Sequence, residues 1–324
     1  MKKTTWIWWG LALAWVGCLL GLPWIGVEAI RPQDILSGSP EAQVFWSLRV
    51  PRLLAGMLAG STLGMAGMAM QALFRNPLAE PFTLGTASGA SLGACFYLWT
   101  GWSFGFLGLS GQTWFAFAGA LLSLGLVYGF SQLAGRARTE TLLLAGVAGG
   151  IFFSSLILLL QYLADQVHSL RMLRWLMGSL EVVGYWELLQ AAPLALLGSG
   201  LILALRFELN LLAAGEDLAV ARGLDLPRVK LLLLAGVGVM VGTVVALTGP
   251  VGFVGLMVPH ICRQLLGPDH RRLAWAVLLL GMSFLPACDA VARVLLAPAE
   301  LPVGVITALL GGPFFLWVLT RNRP

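Results

Sequence analysis

Charge is scarce in this chain. Only 11% of its 324 residues are Asp, Glu, Lys or Arg, against ~25% in an ordinary soluble domain. That excludes a water-solvated exterior over most of its length. Lysine is scarcer still. Lys2, Lys3 and Lys230 are the full set, none follows a glycine loop, and no G-x-x-x-x-G-K-[ST] motif occurs. ATP binding and hydrolysis by a phosphate-cradling loop is thereby excluded. The three histidines, His168, His260 and His270, are far apart, with no partner at metal-ligand spacing. The four cysteines, Cys18, Cys95, Cys262 and Cys288, lie in or beside apolar runs and form no C-x-x-C pair. Disulfides and zinc sites are therefore not expected. Acids are nearly absent from the apolar runs. Asp289 alone lies clearly inside one, and Arg293 at i+4 can pair with it. A proton relay wants several carboxylates at mid-membrane, so an ion-coupled secondary transporter is only the alternative reading. Ser88 and Ser91 in "TASGASLG" sit on a glycine stripe without the G-x-S-G order, which argues against a serine nucleophile.

What is present is oil. Hydrophobic residues make up 58% of the chain, and the mean hydropathy is +0.86. A bilayer core ~30 Å thick needs ~20 apolar residues per helix, so the length allows roughly ten spans. Open strands would leave backbone groups unpaired in hydrocarbon. A barrel would alternate apolar and polar residues, and these runs do not. The expected fold is all-α and polytopic, one transmembrane domain over 1–324. Spans are expected at 6–27, 52–73, 83–99, 113–134, 141–163, 186–205, 229–248, 252–266, 273–296 and 304–320, the eighth being short. The opening "MKKTTWIWWGLALAWVGCLL" has the charge-then-apolar order of a secretory signal. It stays apolar to Val27 without a clear small-residue cleavage site, and is read as a retained first span. With the N-terminus inside, Arg31, Arg49, Arg52, Arg171, Arg174 and Arg293 fall outside, and the other fourteen basic residues inside. The positive-inside rule favours that orientation, with both termini cytoplasmic. The net charge of +5 then reflects topology and implies no nucleic-acid partner.

Glycine is abundant and ordered. Gly56, Gly60 and Gly64 form one stripe at four-residue spacing, and Gly85, Gly89 and Gly93 form a second. Such stripes let helix backbones approach closely. "TGPVGFVGLMVPH" holds three glycines and two prolines in 13 residues, which a regular helix tolerates poorly. A turn and a short tilted span, buried in protein, are expected there.

One polar stretch interrupts the oil: "LNLLAAGEDLAVARGLDLPRVK", Leu209–Lys230. Gly215 can cap a short helix whose first turn holds Glu216 and Asp217, where the dipole favours negative charge. Arg222 falls in its last turn, and Gly223 can be the left-handed residue after it. Leu218, Ala219, Ala221 and Arg222 would make an amphipathic face. Asp225 can cap the seventh span, with Pro227 in its first turn. Anionic headgroups would repel Glu216, Asp217 and Asp225, so a cytoplasmic protein partner explains the stretch better than the bilayer surface.

"RVPRLLAGMLAGSTLGMAGMAMQALFRNPLAEPFTLGTASGASLGA", "LLLAGVAGG", "LNLLAAGEDLAVARGLDL", "GPVGFVGLMVPHICRQLLGPDHRRL" and "ELPVGVITALLGGPFFLWVL" together resemble the FecCD-type permease family of vitamin B12, haem and iron-siderophore importers. The resemblance covers the chain in order from about Arg49 to Leu319. It implies a type II ABC importer permease: ten helices per subunit, a second permease subunit (a homodimer, or in some members a heterodimer of which this chain would be one half, or a fused pair), two ABC ATPase subunits beneath and a substrate-binding protein outside. ATP and Mg would sit on the ATPase, and no cofactor on this chain. It further implies that Leu211, Ala214, Gly215, Glu216, Asp217, Ala219, Arg222 and Gly223 form the segment that grips the ATPase. Asn76 and Leu78, with Arg138 and Thr139, would belong to two cytoplasmic gate loops, although Arg138 departs from the small hydroxyl residues of the B12 members. Arg49, Arg52 and Arg293 would meet acidic residues of the binding protein. The pathway would run along the dimer interface, flanked by the fifth and tenth spans.

Overall fold

The computed structural model describes residues 2–26, 28–36, 39–133 and 139–321. Fourteen α-helices are present among them: α1 (Lys2–Gly21), α2 (Pro40–Val44), α3 (Val50–Leu73), α4 (Thr86–Thr100), α5 (Gly111–Leu133), α6 (Thr139–Leu163), α7 (Gln166–Leu176), α8 (Trp186–Ala204), α9 (Arg206–Ala214), α10 (Glu216–Ala221), α11 (Leu226–Thr248), α12 (Val254–Leu266), α13 (His270–Leu295) and α14 (Val303–Arg321). Each of the ten expected spans falls on one of them. Seven described segments are long and apolar enough to cross a bilayer. The other three expected spans lie on the 15-residue α4, the 13-residue α12 and the 19-residue α14.

The two shortest have physical causes. Before α4 the chain makes a 3-10 turn over Pro81–Leu84, so α4 starts late, at the left-handed Gly85. Gly85 is thus the residue that turns the chain into α4 and not a member of that helix. Before α12 the chain runs without helix from Gly249 to Phe253, and Phe253 takes a left-handed φ of 67°. Its N–H donates to the Glu80 carboxylate. A freed backbone donor at membrane depth needs such a partner inside the protein.

Helix α3 is the hub. It packs on α13, α12, α11 and α8, and nearly every residue from Leu53 to Leu73 is buried. A helix apolar on all sides is expected in the interior. The glycines set how close its neighbours come. A Cβ on Gly60 would stand 2.2 Å from the Gly281 carbonyl oxygen of α13, and one on Gly67 would stand 1.8 Å from that of Gly255 in α12. The second stripe works the same way between α4 and α5. There, Cβ atoms on Gly89 and Gly93 would meet the Gly119 and Phe115 carbonyls at 2.5 and 1.9 Å. Gln71 of α3 adds a polar tie, accepting from Arg263 Nη2 of α12 at 2.7 Å.

Three small elements go unforeseen in the sequence. A two-residue antiparallel pair joins β1 (Gly105–Phe106) and β2 (Leu109–Ser110) through the left-handed residues Leu107 and Gly108. Short α2 feeds through a π-turn at Phe45–Arg49 into α3. Helix α7 is capped by Asp165, whose side chain accepts from the His168 N–H at 2.8 Å. That cap was readable in the sequence, but the apolar-run criterion passes over a helix whose one fully covered residue is Met172.

Replacing Gly67 with Ala should cost about 1–3 kcal/mol through overpacking against fixed backbone. Gly125→Ala, on a helix surface with nothing within 4 Å, should be neutral or stabilising by a few tenths to ~1 kcal/mol. Thermal melts of the two variants in detergent check the contrast.

Candidate functional site: a coupling segment and two charged ends

The polar stretch folds as two short helices meeting at a glycine. Helix α9 is anchored by the fully buried Leu209 and Leu212. Asn210 holds it to the start of α13, donating to Asp269 Oδ1 and accepting from the His270 N–H, at 2.8 and 2.9 Å. The N–H of Arg271 and the Asn210 amide both hold the Asp269 carboxyl below its usual range. Gly215, at φ 131° and ψ 145°, breaks the helix where a side chain would be strained. Helix α10 then ends in a Schellman turn. Leu224 N–H donates to Ala219 O at 3.0 Å and Gly223 N–H to Val220 O at 2.9 Å, with Gly223 at φ 83°. Asp225 caps α11 by accepting from Arg228 N–H.

The exposed face of this unit differs from the expected one. Ala219 is fully buried and Leu211 half-buried, so Ala219 supports the turn from beneath. Asp217, Leu218, Val220, Ala221 and Arg222 point outward, with Ala214 exposed beside them. The reason is the angle at Gly215, which turns α10 by its own φ and ψ rather than by helical periodicity. Glu216 also faces inward. Its Oε1 lies 2.9 Å from Lys230 Nζ and accepts the Thr139 hydroxyl. Burial alone would raise the Glu216 carboxyl, but Thr139, Lys230 and Arg75 outweigh it and hold it below its ordinary value. Lys230 is the residue that sequence reasoning passed over. Its signal was a lone lysine opening an apolar run.

At the same end lie the first expected gate loop and Thr139 of the second. Asn76 Oδ1 accepts from Leu78 N–H at 2.9 Å, fixing a tight turn. Thr139 opens α6, and Arg138 lies outside the described residues. Between the Pro81–Leu84 turn, α4 and α6 runs a groove of about 380 Å³ lined by Thr83, Ser88, Ser154, Ser155 and small or apolar residues.

The opposite end gathers the three arginines expected to dock a partner, and the structure corrects how they are presented. Arg49 is buried, donating from Nη1 to Pro23 O at 3.2 Å and from Nη2 to Glu28 O. Arg293 is buried and donates to Ile25 O at 2.8 Å. Its Nε lies 3.2 Å from Asp289 Oδ2, out of hydrogen-bond alignment. Arg52 grips Asp289 with Nε and Nη2 at 2.9–3.1 Å and reaches Glu300 with Nη1 at 2.7 Å. The chain before α2 folds its carbonyls over this cluster, so spacing along one helix could not show that the cations are already occupied. The exposed arginines at this end include Arg171 and Arg174 on α7. Asp289 lies six residues from the end of α13 and is taken up by Arg52, as a structural acid near a helix end. No cluster of three or more His, Cys, Asp or Glu able to hold a metal occurs among the described residues.

An all-α polytopic bundle with a capped polar knuckle at one end and clustered arginines at the other fits the permease subunit of an ABC importer. The model of the FecCD transport family matches residues 12–321, and the chain belongs to that family. It is 40% identical over 309 residues to the cobalamin import system permease protein BtuC of Halobacterium salinarum, covering 94% of this chain and 80% of that one. It is 38% identical over 283 residues to the hemin transport system permease protein HmuU of Yersinia pestis, covering 86% and 84%. A solved inward-facing structure described as of a metal-chelate type ABC transporter superposes with a TM-score of 0.87 at 32% identity, covering 97% and 99%.

Removing Arg52 leaves Asp289 buried with a misaligned partner. Arg52→Ala should cost about 3 kcal/mol, the usual penalty for breaking a covered ion pair from one side. Replacing Asp289 together with Arg52 should recover only part of it, because buried Arg293 then keeps the Ile25 carbonyl but loses its carboxylate, as a thermal-melt double-mutant cycle would show.

Proposed function

We propose that this chain is the membrane-embedded subunit of an ATP-driven importer that passes a metal chelate, of the cobalamin, haem or ferric-siderophore class, into the cytoplasm. The observation that carries the reading is the α9–Gly215–α10 unit. It is rigidly capped, anchored to the bundle through Leu209, Leu212 and Asn210, and presents Leu218 and Val220 to solvent at 45% and 54% exposure. Two apolar side chains held out on so short a capped helix suit insertion into a partner's cleft. That partner is an ABC ATPase, which holds ATP and Mg. The absence of a P-loop from this chain fits a subunit that receives work rather than generating it.

The pathway lies between two copies. Helix α6 leaves Leu144, Ile151, Phe152, Leu158 and Tyr162 exposed, and α14 leaves Leu309 and Leu316 exposed. These are the fifth and tenth spans. The hydroxyl-lined groove beside α6 would form the inner half of a wide, weakly adhesive path. A binding protein docks at the arginine-bearing end. Arg171 and Arg174, exposed on α7, supply positive potential that steers an acidic partner more than it holds it. The setting is the inner membrane of a prokaryote, with both termini cytoplasmic.

Leu218→Glu combined with Val220→Glu should weaken ATPase capture at least about tenfold, because each buried carboxylate lacks a partner in an apolar cleft. Affinity purification of the permease with its neighbouring ATPase measures it, and undiminished capture would contradict the coupling assignment. Arg171→Glu with Arg174→Glu should slow binding-protein association most at low salt. Stopped-flow rates that do not change with ionic strength would remove α7 from the docking face.

A further inference from the structure

One carboxylate joins the coupling unit to the start of α6, with a guanidinium of the first loop close by. Glu216 opens α10, directs Oε1 at Lys230 Nζ of α11 at 2.9 Å, and accepts the hydroxyl proton of Thr139 at the start of α6. The Arg75 guanidinium stands 3.7 Å from where a Cβ on Gly215 would lie. Arg75 directly precedes Asn76 and Leu78 in the first loop, and Thr139 closes the second.

An acid in a helix's first turn has no need to face inward, since the dipole favours it equally when solvated. Here it is drawn in. The Lys230 side chain is 4% exposed and that of Glu216 is 28% exposed, so salt screens the pair less than a surface pair. The Lys230 contact ties α10 to the helix that follows it. The Thr139 contact is different in kind, because it spans 77 residues of sequence to a separate span.

We propose that Glu216 is a positioning residue that transmits displacement of α10 to the start of α6 through Thr139 and, with the Arg75 guanidinium beside Gly215, to the Asn76–Leu78 turn. The inference rests on the permease reading above. Movement of α10 against the bundle must carry Thr139 and the start of α6 with it, or break their bond. Leu209 and Leu212 keep α9 seated meanwhile, so Gly215 acts as the pivot. Asp217, next in sequence and exposed, faces the partner instead.

The test uses the complete complex of permease, ATPase and binding protein in inside-out vesicles. Pro77→Cys, exposed in the first loop and leaving the Asn76 side chain in place, is labelled with a membrane-impermeant maleimide in a Cys18→Ser background, with and without ATP plus vanadate. Nucleotide should change the labelling rate about fivefold or more with Glu216 present, and less than about twofold in Glu216→Ala. Thr139→Ala should lose most of the response and Thr139→Ser should keep it, which a merely structural loss would not reproduce. An equal nucleotide response in Glu216→Ala and its parent overturns the proposal and leaves the permease reading standing. No nucleotide response in the parent, with no ATPase retained, overturns the permease reading itself. If Glu216→Ala does not accumulate, the Thr139 pair decides: loss with Ala and retention with Ser supports the link, and equal responses overturn it.

Discussion

Helix α3 is enclosed on nearly every side, and that enclosure depends on backbones touching backbones. Gly60 meets Gly281, and Gly67 meets Gly255, at distances no Cβ could share. In lipid there is no hydrophobic gain from bringing helices together, because the tails are as apolar as leucine. Close van der Waals packing must supply the attraction, and it falls away steeply with small gaps. Glycine on facing helices is the route to that proximity. The positions of α12 and α13, and hence of both charged ends, follow from it.

The polar groups divide between the ends of this packed frame. At one end Arg49, Arg52 and Arg293 are absorbed by Asp289, Glu300 and loop carbonyls. They bind the chain before α2 to α3 and α13 and brace this end of the bundle. At the other end Asn210, Glu216 and Lys230 hold the knuckle to α13, α6 and α11. The two ends share a chemistry of buried charge satisfied by long-range partners. They differ in exposure, since the knuckle keeps an apolar, partner-ready face and the arginine cluster keeps little.

Much of this was legible beforehand. Span positions follow from hydropathy because a bilayer tolerates few alternatives to a helix. The knuckle's geometry was legible because caps are local: Gly215, Gly223 and Asp225 act on residues within five positions of themselves. The family resemblance pointed to the FecCD family, which the match over residues 12–321 bears out. What was not legible shares a different character. Arg52 was read for its place on one helix, yet its partners Asp289 and Glu300 lie 237 and 248 residues away. Ala219 was read onto an outer face by periodicity, yet the turn at Gly215 rolls it inward.

The sequence by itself determined that this protein is a helical bundle in a membrane, and roughly where its apolar helices lie. Those properties depend on composition and on contacts a few residues long. Only the tertiary structure decided which glycines meet, which arginines are already occupied and which carboxylate links the knuckle to the start of α6. Each of those depends on two distant segments arriving at the same point, and a linear pattern holds no record of where its far partners lie.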